Sequence, residues 1–310
     1  MFLNKTSKQN IMQIQKVTVF GAGVLGTQVA WQIATHGYQT WVYDIDKGVL
    51  DNARKKHHEL AQLFVSKLGY DNAAVEKAFE LLHYTTDLQQ AVENTDLTSE
   101  SIPEKFEIKR DFYKQLSPLL PDKTILTTNS STMVPSMFAE FTGRPEKFLA
   151  LHFANPVWKA NIAEIMGHQG TSKEVFDVVV DFARSIGLVP IPIYKEQPGY
   201  VLNSLLVPWL TAAETLYFDG VADFKSIDKT WMISTGSPIG PFGIIDIIGM
   251  QTLYNVIMLR YKQTGDESFL RRAKIIKEQY IDKGKLGIAA GEGFYKYPNP
   301  EYQRPDFLKK

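Results

Sequence analysis

At 310 residues, with 34 basic and 34 acidic side chains, the chain carries no formal net charge, which gives no basis for a nucleic-acid or anionic-membrane partner. It has no cysteine, so disulfides, thiolate catalysis and Cys-held zinc or iron–sulfur centres are excluded, and no metal site is called for. The length is large for one hydrophobic core and the 44% apolar composition is that of a soluble globular protein, so two domains are expected. The opening MFLNKTSKQNIMQIQK lacks an apolar core of signal-peptide length. No run approaches the roughly 18 apolar residues of a membrane span. A cytoplasmic protein is the expectation, with Met12 as an alternative start.

In chain order, Val17–Phe20 is a short β-branched and aromatic run of strand length. It leads directly into Gly21-Ala22-Gly23-Val24-Leu25-Gly26, a G-x-G-x-x-G, and then into an apolar-periodic helix that stops at Gly37. A second strand, Thr40–Tyr43, ends in Asp44. In this context Gly21 allows a tight turn, Gly23 admits a pyrophosphate against the backbone, and Gly26 lets the helix pack close to the strand. Asp44 stands where a carboxylate accepts ribose hydroxyls and repels a 2′-phosphate. No Arg follows at Ile45, Asp46 or Lys47, so NAD(H) is favoured over NADP(H). The fingerprint alone does not separate NAD from FAD.

Residues 47–82 read as a helical hairpin broken near Gly69–Asn72, either a solvated pair or a cover for substrate. Alternation then resumes: strand His83–Thr86, helix Leu88–Val92, strand Asp96–Ser101, a helix opened by Pro103-Glu104 and running to about Leu119, strand Thr124–Thr128, and strand Phe148–Leu151. A helix Lys173–Gly187 and a strand Val189–Ile193 complete a first, α/β domain with a doubly wound, parallel sheet. From Gly199 the pattern is all-helical: Val201–Phe218, Ser226–Thr235, Pro241–Tyr261 and Glu267–Lys283. The tail from Pro298 is read as flexible.

His152 falls just past a strand, on the edge of the sheet where ligands bind in open α/β folds. Glu164 follows in the apolar context Ile162-Ala163-Glu164-Ile165, and a carboxylate there needs a partner. An imidazole across a strand-turn-strand would supply it and yield a general acid/base. Taken alone, a histidine in this setting is more often a satisfied core residue. Ser131 is either an N-cap for a helix Val134–Phe141 or a donor to a substrate oxygen. Asn203 is a polar residue in an apolar helix and requires a partner.

Together these positions resemble the L-3-hydroxyacyl-CoA dehydrogenase family over nearly the whole chain, and within it the bacterial diketoreductase branch. The matching elements are GAGVLG, the Asp44 strand end, ESIPEKFEIK at 100–109, NSST at 129–132, LHFANPV at 151–157 with Glu164 downstream, PGYVLNSLLVP at 198–208, GPFGIIDIIG at 240–249 and GEGFYKY at 291–297. The resemblance implies a Rossmann-like, mostly parallel NAD(H)-binding domain over 12–195 with a helical hairpin insertion at 47–82. It implies an all-α C-terminal domain over 196–310 through which the chain forms a homodimer. His152 would be the catalytic acid/base oriented by Glu164, with Ser131 and Asn203 on the reacting oxygen. Asn155 and Ser131 would touch the nicotinamide end, and Glu104 and Lys109 the cofactor side. The resemblance also decides NAD(H) over FAD.

Lys67 matches a lysine that contacts CoA in the family, but the neighbouring serine contact falls at Leu60. A family lysine before the glutamate is replaced by Asn161, and one before GEGFY by Ala289-Ala290. Three readings follow: a short-chain 3-hydroxyacyl-CoA dehydrogenase, such as one acting on 3-hydroxybutyryl-CoA; a CoA-independent reductase of β-keto or β,δ-diketo acids and esters; or a non-catalytic NAD-binding protein.

Overall fold

A computed structural model describes residues 14–309, so the Met12 start lies outside the described residues. These residues divide into two compact units, one ending at Asn203 and the other beginning at Ser204. The first is built on strands β1 (Lys16–Phe20), β2 (Gln39–Tyr43), β3 (Leu82–Thr85), β4 (Leu97–Glu100), β5 (Ile125–Thr128), β6 (Phe148–Phe153), β7 (Ile162–Met166) and β8 (Val189–Ile193). They form one sheet in the order β3-β2-β1-β4-β5-β6-β7-β8, the doubly wound arrangement with its reversal between β1 and β4. Val17, Val19 and Phe20 of β1 are wholly buried, as a strand covered on both faces must be.

One pairing departs from the parallel pattern. β6 and β7 run antiparallel, with His152 directly opposite Glu164. Only residues 154–161 join them, too few for the crossover that a parallel pair needs. His152 thus lies within β6 rather than just past it.

Helices α1 (Val24–Thr35), α2 (Lys47–Leu68), α3 (Asn72–Leu81), α4 (Leu88–Val92), α5 (Phe106–Leu116) and α6 (Lys173–Ser185) pack around this sheet. The hairpin is α2 and α3, divided at Gly69 in the left-handed region. Two expectations are corrected. The helix expected to open at Pro103-Glu104 begins at Phe106, because the Glu104 carboxylate is drawn to residues 130–132. The helix expected over Val134–Phe141 is two 3₁₀ turns, Pro135–Met137 and Ala139–Thr142.

The hairpin is fastened to the Rossmann-like core by a histidine. His57 on α2 is fully buried, stacked on Trp31 of α1 with ring centroids 5.6 Å apart. Its Nε2 donates to the Thr27 carbonyl at 2.8 Å, which leaves Nδ1 to accept from the Tyr84 hydroxyl. Both contacts suit the neutral ring. Burial pushes His57 down to about 4, against the opposing pull of the Thr27 carbonyl.

In the second unit, α7 (Tyr200–Phe218) begins inside the first and is followed by α8 (Phe224–Thr235), α9 (Pro241–Ile248), α10 (Met250–Thr264) and α11 (Glu267–Gln279). The single helix expected over Pro241–Tyr261 is two, bent by 99° at Gly249, whose φ of +93° suits glycine. Among the described residues no single helix is long and apolar enough to cross a membrane. Asp246 of α9 ties the GEGFYKY segment down, accepting from the Phe294 and Tyr295 amides at 2.7 and 2.8 Å and from the Tyr297 hydroxyl at 3.0 Å. The tail is not loose as expected: Tyr302 and Phe307 are buried, in aromatic contact with Tyr295.

The unfolded chain takes up a proton near pH 6.5 that folded His57 refuses until about 4. Its contribution to stability is therefore complete above pH 6.5 and lost as pH falls toward 4, by about 3 kcal/mol at most. His57→Gln should lower the urea midpoint at pH 7 and shrink its fall between pH 7 and pH 4.5. An equal fall in both proteins would show that His57 does not titrate this way.

Candidate active site

The fingerprint turn has the shape that a dinucleotide requires. Gly21 sits at φ +90°, with the Ser101 carbonyl oxygen 2.5 Å from a Cβ built there, and a Cβ on Gly26 would come within 1.9 Å of the Gly21 carbonyl oxygen, so the turn demands glycine at both places. Gly23 differs: among the described residues nothing lies within 4 Å of a Cβ built there, which leaves that side of the backbone open to a ligand. Gly23 is the N-cap of α1 and offers no side-chain acceptor, so the first-turn N–H groups and the helix dipole face outward for an anion. Asp44 accepts from the Ala22 amide at 2.8 Å and from Asp46 N at 3.1 Å, bracing the turn from the end of β2. These residues fit NAD(H): Gly21 to Gly26 for the pyrophosphate and Asp44 for the adenosine ribose.

Farther along the sheet, register brings His152 and Glu164 together. His152 Nδ1 donates to Glu164 Oε2 at 3.0 Å, and His152 Nε2 lies 3.1 Å from Ser131 Oγ. The carboxylate fixes the tautomer, so the neutral ring accepts from Ser131 and the protonated ring donates toward it. Both members are buried, Glu164 to 1% and His152 to 4% exposure. A buried carboxylate is tolerated when its oxygens are satisfied. The other oxygen, Oε1, accepts from the Val201 and Leu202 amides at 2.9 and 2.8 Å, at the start of α7. Asn203 follows on the same turn, its own amide bonded to the Gly199 carbonyl, with no hydrogen bond to the pair.

Ser131 is not an N-cap, since no α-helix follows it and its hydroxyl goes to His152. Its loop hangs on Glu104. One oxygen, Oε1, accepts from Ser130 Oγ, Ser131 N, Thr132 N and Thr132 Oγ1 at 2.5 to 3.0 Å. Burial alone would push the Glu104 carboxyl up, but the Ser130 hydroxyl, the Lys109 charge and Thr132 hold it below the usual range. Lys109, expected on the cofactor side, is instead interior at 1% exposure, its ammonium 2.6 Å from Glu100 and 3.3 Å from Glu104. Glu100 is filled on its other oxygen by Tyr113 and Thr128.

Asn155 Oδ1 accepts from Gln28 Nε2 at 3.0 Å, and Gln28 Oε1 accepts from the Val157 amide. This bond joins the first turns of α1 to the segment after β6. Beside it lies a cavity of about 690 Å³ between the fingerprint turn and α2, walled by Leu60, Leu63 and Trp158, with Lys56 and Glu59 on its rim. Those two are paired to each other at 2.7 Å. Lys67 is exposed near the far end of α2 and does not line it. Glu100, Gln28 and the aromatic ring of Tyr200 against His152 escaped sequence reading. The only signal for Glu100 was a charge ending a buried strand.

Glu104→Ala should free the 130–132 amides to exchange faster with solvent deuterium and cut turnover by about tenfold to a hundredfold. Glu104→Gln, which keeps an acceptor, should hold the loop more nearly in place. Unchanged exchange in the alanine variant would mean that other contacts carry the loop.

Comparison with known proteins agrees with this geometry. The NAD binding domain of 3-hydroxyacyl-CoA dehydrogenase matches residues 16–197, and the C-terminal domain of that family matches 199–297. The chain is 32% identical over 289 residues to a probable 3-hydroxybutyryl-CoA dehydrogenase of Deinococcus radiodurans, covering 91% of this chain and all of the relative. It is 31% identical to the human mitochondrial hydroxyacyl-coenzyme A dehydrogenase, covering 92% and 91% of the two chains. A solved diketoreductase, described as catalysing reactions of dicarbonyl compounds, superposes with a TM-score of 0.86 at 50% identity, over 92% of this chain and 99% of that one. Fingerprint, acid–base pair and both domain matches lead to one assignment: the chain belongs to the 3-hydroxyacyl-CoA dehydrogenase family, as an NAD(H)-dependent oxidoreductase acting on CH–OH groups.

Proposed function

We propose that the chain interconverts short-chain 3-hydroxyacyl and 3-oxoacyl thioesters of CoA, of the size of 3-hydroxybutyryl-CoA, and that His152 is its acid/base. The observation that carries this reading is the hydrogen-bonded line Ser131–His152–Glu164. Bound NAD(H) supplies or accepts the hydride at the carbon that bears the oxygen. In reduction, the His152 imidazolium gives its Nε2 proton to the oxygen as negative charge develops there, and the neutral ring stays bonded to Glu164. In oxidation, His152 takes that proton from the hydroxyl, and Glu164 stabilises the resulting imidazolium. Ser131 and Asn203 hydrogen-bond the same oxygen, and Asn155 borders the nicotinamide end.

A second reading, reduction of CoA-free β-keto or β,δ-diketo compounds, is favoured by the cavity beside the fingerprint turn. Its wall of Leu60, Leu63 and Trp158 suits an apolar or aromatic substituent better than a phosphorylated handle, and Lys67 is not in it. The likeness to the diketoreductase points the same way. Dimerisation through the helical unit fits both readings, since Leu205 and Ile233 leave 70% and 59% of their surface exposed. Light scattering on the purified protein tests it, and a monomeric mass would refute it. A cytoplasmic location accords with an NAD(H)-linked reaction.

Side-by-side NADH oxidation with acetoacetyl-CoA and with a CoA-free β,δ-diketo ester separates the two substrates. A higher kcat/KM for acetoacetyl-CoA supports the main reading, and the opposite order supports the second. Under either one, His152→Ala should lose roughly 10²–10⁴-fold in kcat with NADH binding, followed by fluorescence, preserved. Undiminished turnover in that variant would sink the assigned role.

A further inference from the structure

The entry into α7 places an unusual residue against the acid–base pair. Tyr200 has φ of +57°, a left-handed conformation that bulky L-residues rarely adopt, and it follows Gly199, itself at +83°. The side chain is fully buried. Its ring lies over the His152 imidazole at 4.7 Å between centroids and 27° between planes. Behind it are Ala150, Met166 and Ile193, with Val134 packed on them. The next two residues turn their amides onto Glu164. Among the described residues the buried Tyr200 hydroxyl has no hydrogen-bond partner, so it is the ring, not the hydroxyl, that meets the pair.

We propose that Tyr200 is a positioning residue for the acid/base: its ring holds the plane of His152, and its left-handed backbone delivers the Val201 and Leu202 amides to Glu164. This rests on the reading of His152 given above. The hydrogen bonds of His152 to Glu164 and Ser131 act at the ring's edge, so they leave it free to tilt about the line joining its two nitrogens. A flat aromatic face removes that freedom. It also favours the protonated ring, because an imidazolium is attracted by the face of an aromatic neighbour. The titratable groups facing this arrangement are Glu164 on β7, bonded to His152, and Glu104, Glu100 and Glu196 near the phenol. Burial first, and then these carboxylates, push Tyr200 far above the usual phenol range. The phenol is therefore neutral through the ordinary pH range, and the ring rather than its ionisation acts on the imidazole.

Tyr200→Leu keeps the site covered but removes the aromatic face. It should lower kcat by about tenfold or more with little change in NADH binding, and raise the solvent isotope effect on kcat. It should also move the pKa seen in the kcat/KM pH profile down by about half a unit or more. Tyr200→Phe restores the face and should return kcat to within about twofold, with an unshifted profile. If the leucine variant does not fold, Tyr200→Met replaces it.

A folded leucine or methionine variant with wild-type kcat and pH profile overturns the proposal. So does a phenylalanine variant as impaired as the leucine one, which would transfer the role to the hydroxyl. His152→Ala separates the two levels of inference. If it leaves activity intact, the acid/base reading itself fails; if it abolishes turnover while Tyr200→Leu changes nothing, only the role of Tyr200 fails.

Discussion

Much of the arrangement around the site follows from the need to satisfy one carboxylate inside a protein. Glu164 sits on a buried strand, where an isolated carboxylate would be neutralised or expelled. It is retained because three donors converge on it: the His152 ring and two amides from the start of α7. They come from two elements, β6 and the start of α7, so the antiparallel register of β6 on β7 and the turn into α7 must hold together. The pair proposed as the acid/base is consequently also a structural constraint.

The same logic recurs one loop away. Glu100, Lys109 and Glu104 form a chain of charges from the deep interior to the half-exposed loop at 129–132. Buried ion pairs add little net stability against an apolar alternative. What this chain achieves is placement: the last carboxylate gathers four donors from Ser130, Ser131 and Thr132 and sets Ser131 3.1 Å from the imidazole. Ser131 is thus positioned from below by Glu104, and His152 from the other side by Glu164. In the second unit Asp246 does comparable work, joining GPFGIIDIIG to GEGFYKY through the Phe294 and Tyr295 amides. That bond explains why two motifs so far apart in sequence belong to one structural unit.

Two of the departures from the sequence expectation share a cause. Pro103-Glu104 has the composition of a helix start, yet Glu104 is recruited by a loop 26 to 28 residues away, and local propensity yields. Pro241–Tyr261 is apolar enough for one helix, but Gly249 turns it through 99°. The tail looks polar and proline-rich, yet two of its aromatic rings find a pocket among Tyr295 and its neighbours. Lys109, expected on the cofactor side, is instead buried and paired with Glu100. For Glu104 and for the tail, a long-range partner outweighed a local signal.

By itself the sequence determined the alternation of strands and helices, the glycine turn with Asp44 behind it, the hairpin insertion and the change to an all-helical second part. These are set by periodicity and by backbone conformations that few residue types tolerate, so they are legible over short windows. It also singled out His152, Glu164 and Ser131 as candidates. Only the tertiary structure decided that they form one line, that Glu104 and Lys109 hold the loop beneath it, and that Tyr200 covers the imidazole. Those facts depend on strand register and on a left-handed turn, which place residues 12 to 48 positions apart within a few ångströms. No local pattern encodes such distances, because the energy that selects them comes from satisfying buried charge across elements rather than within one.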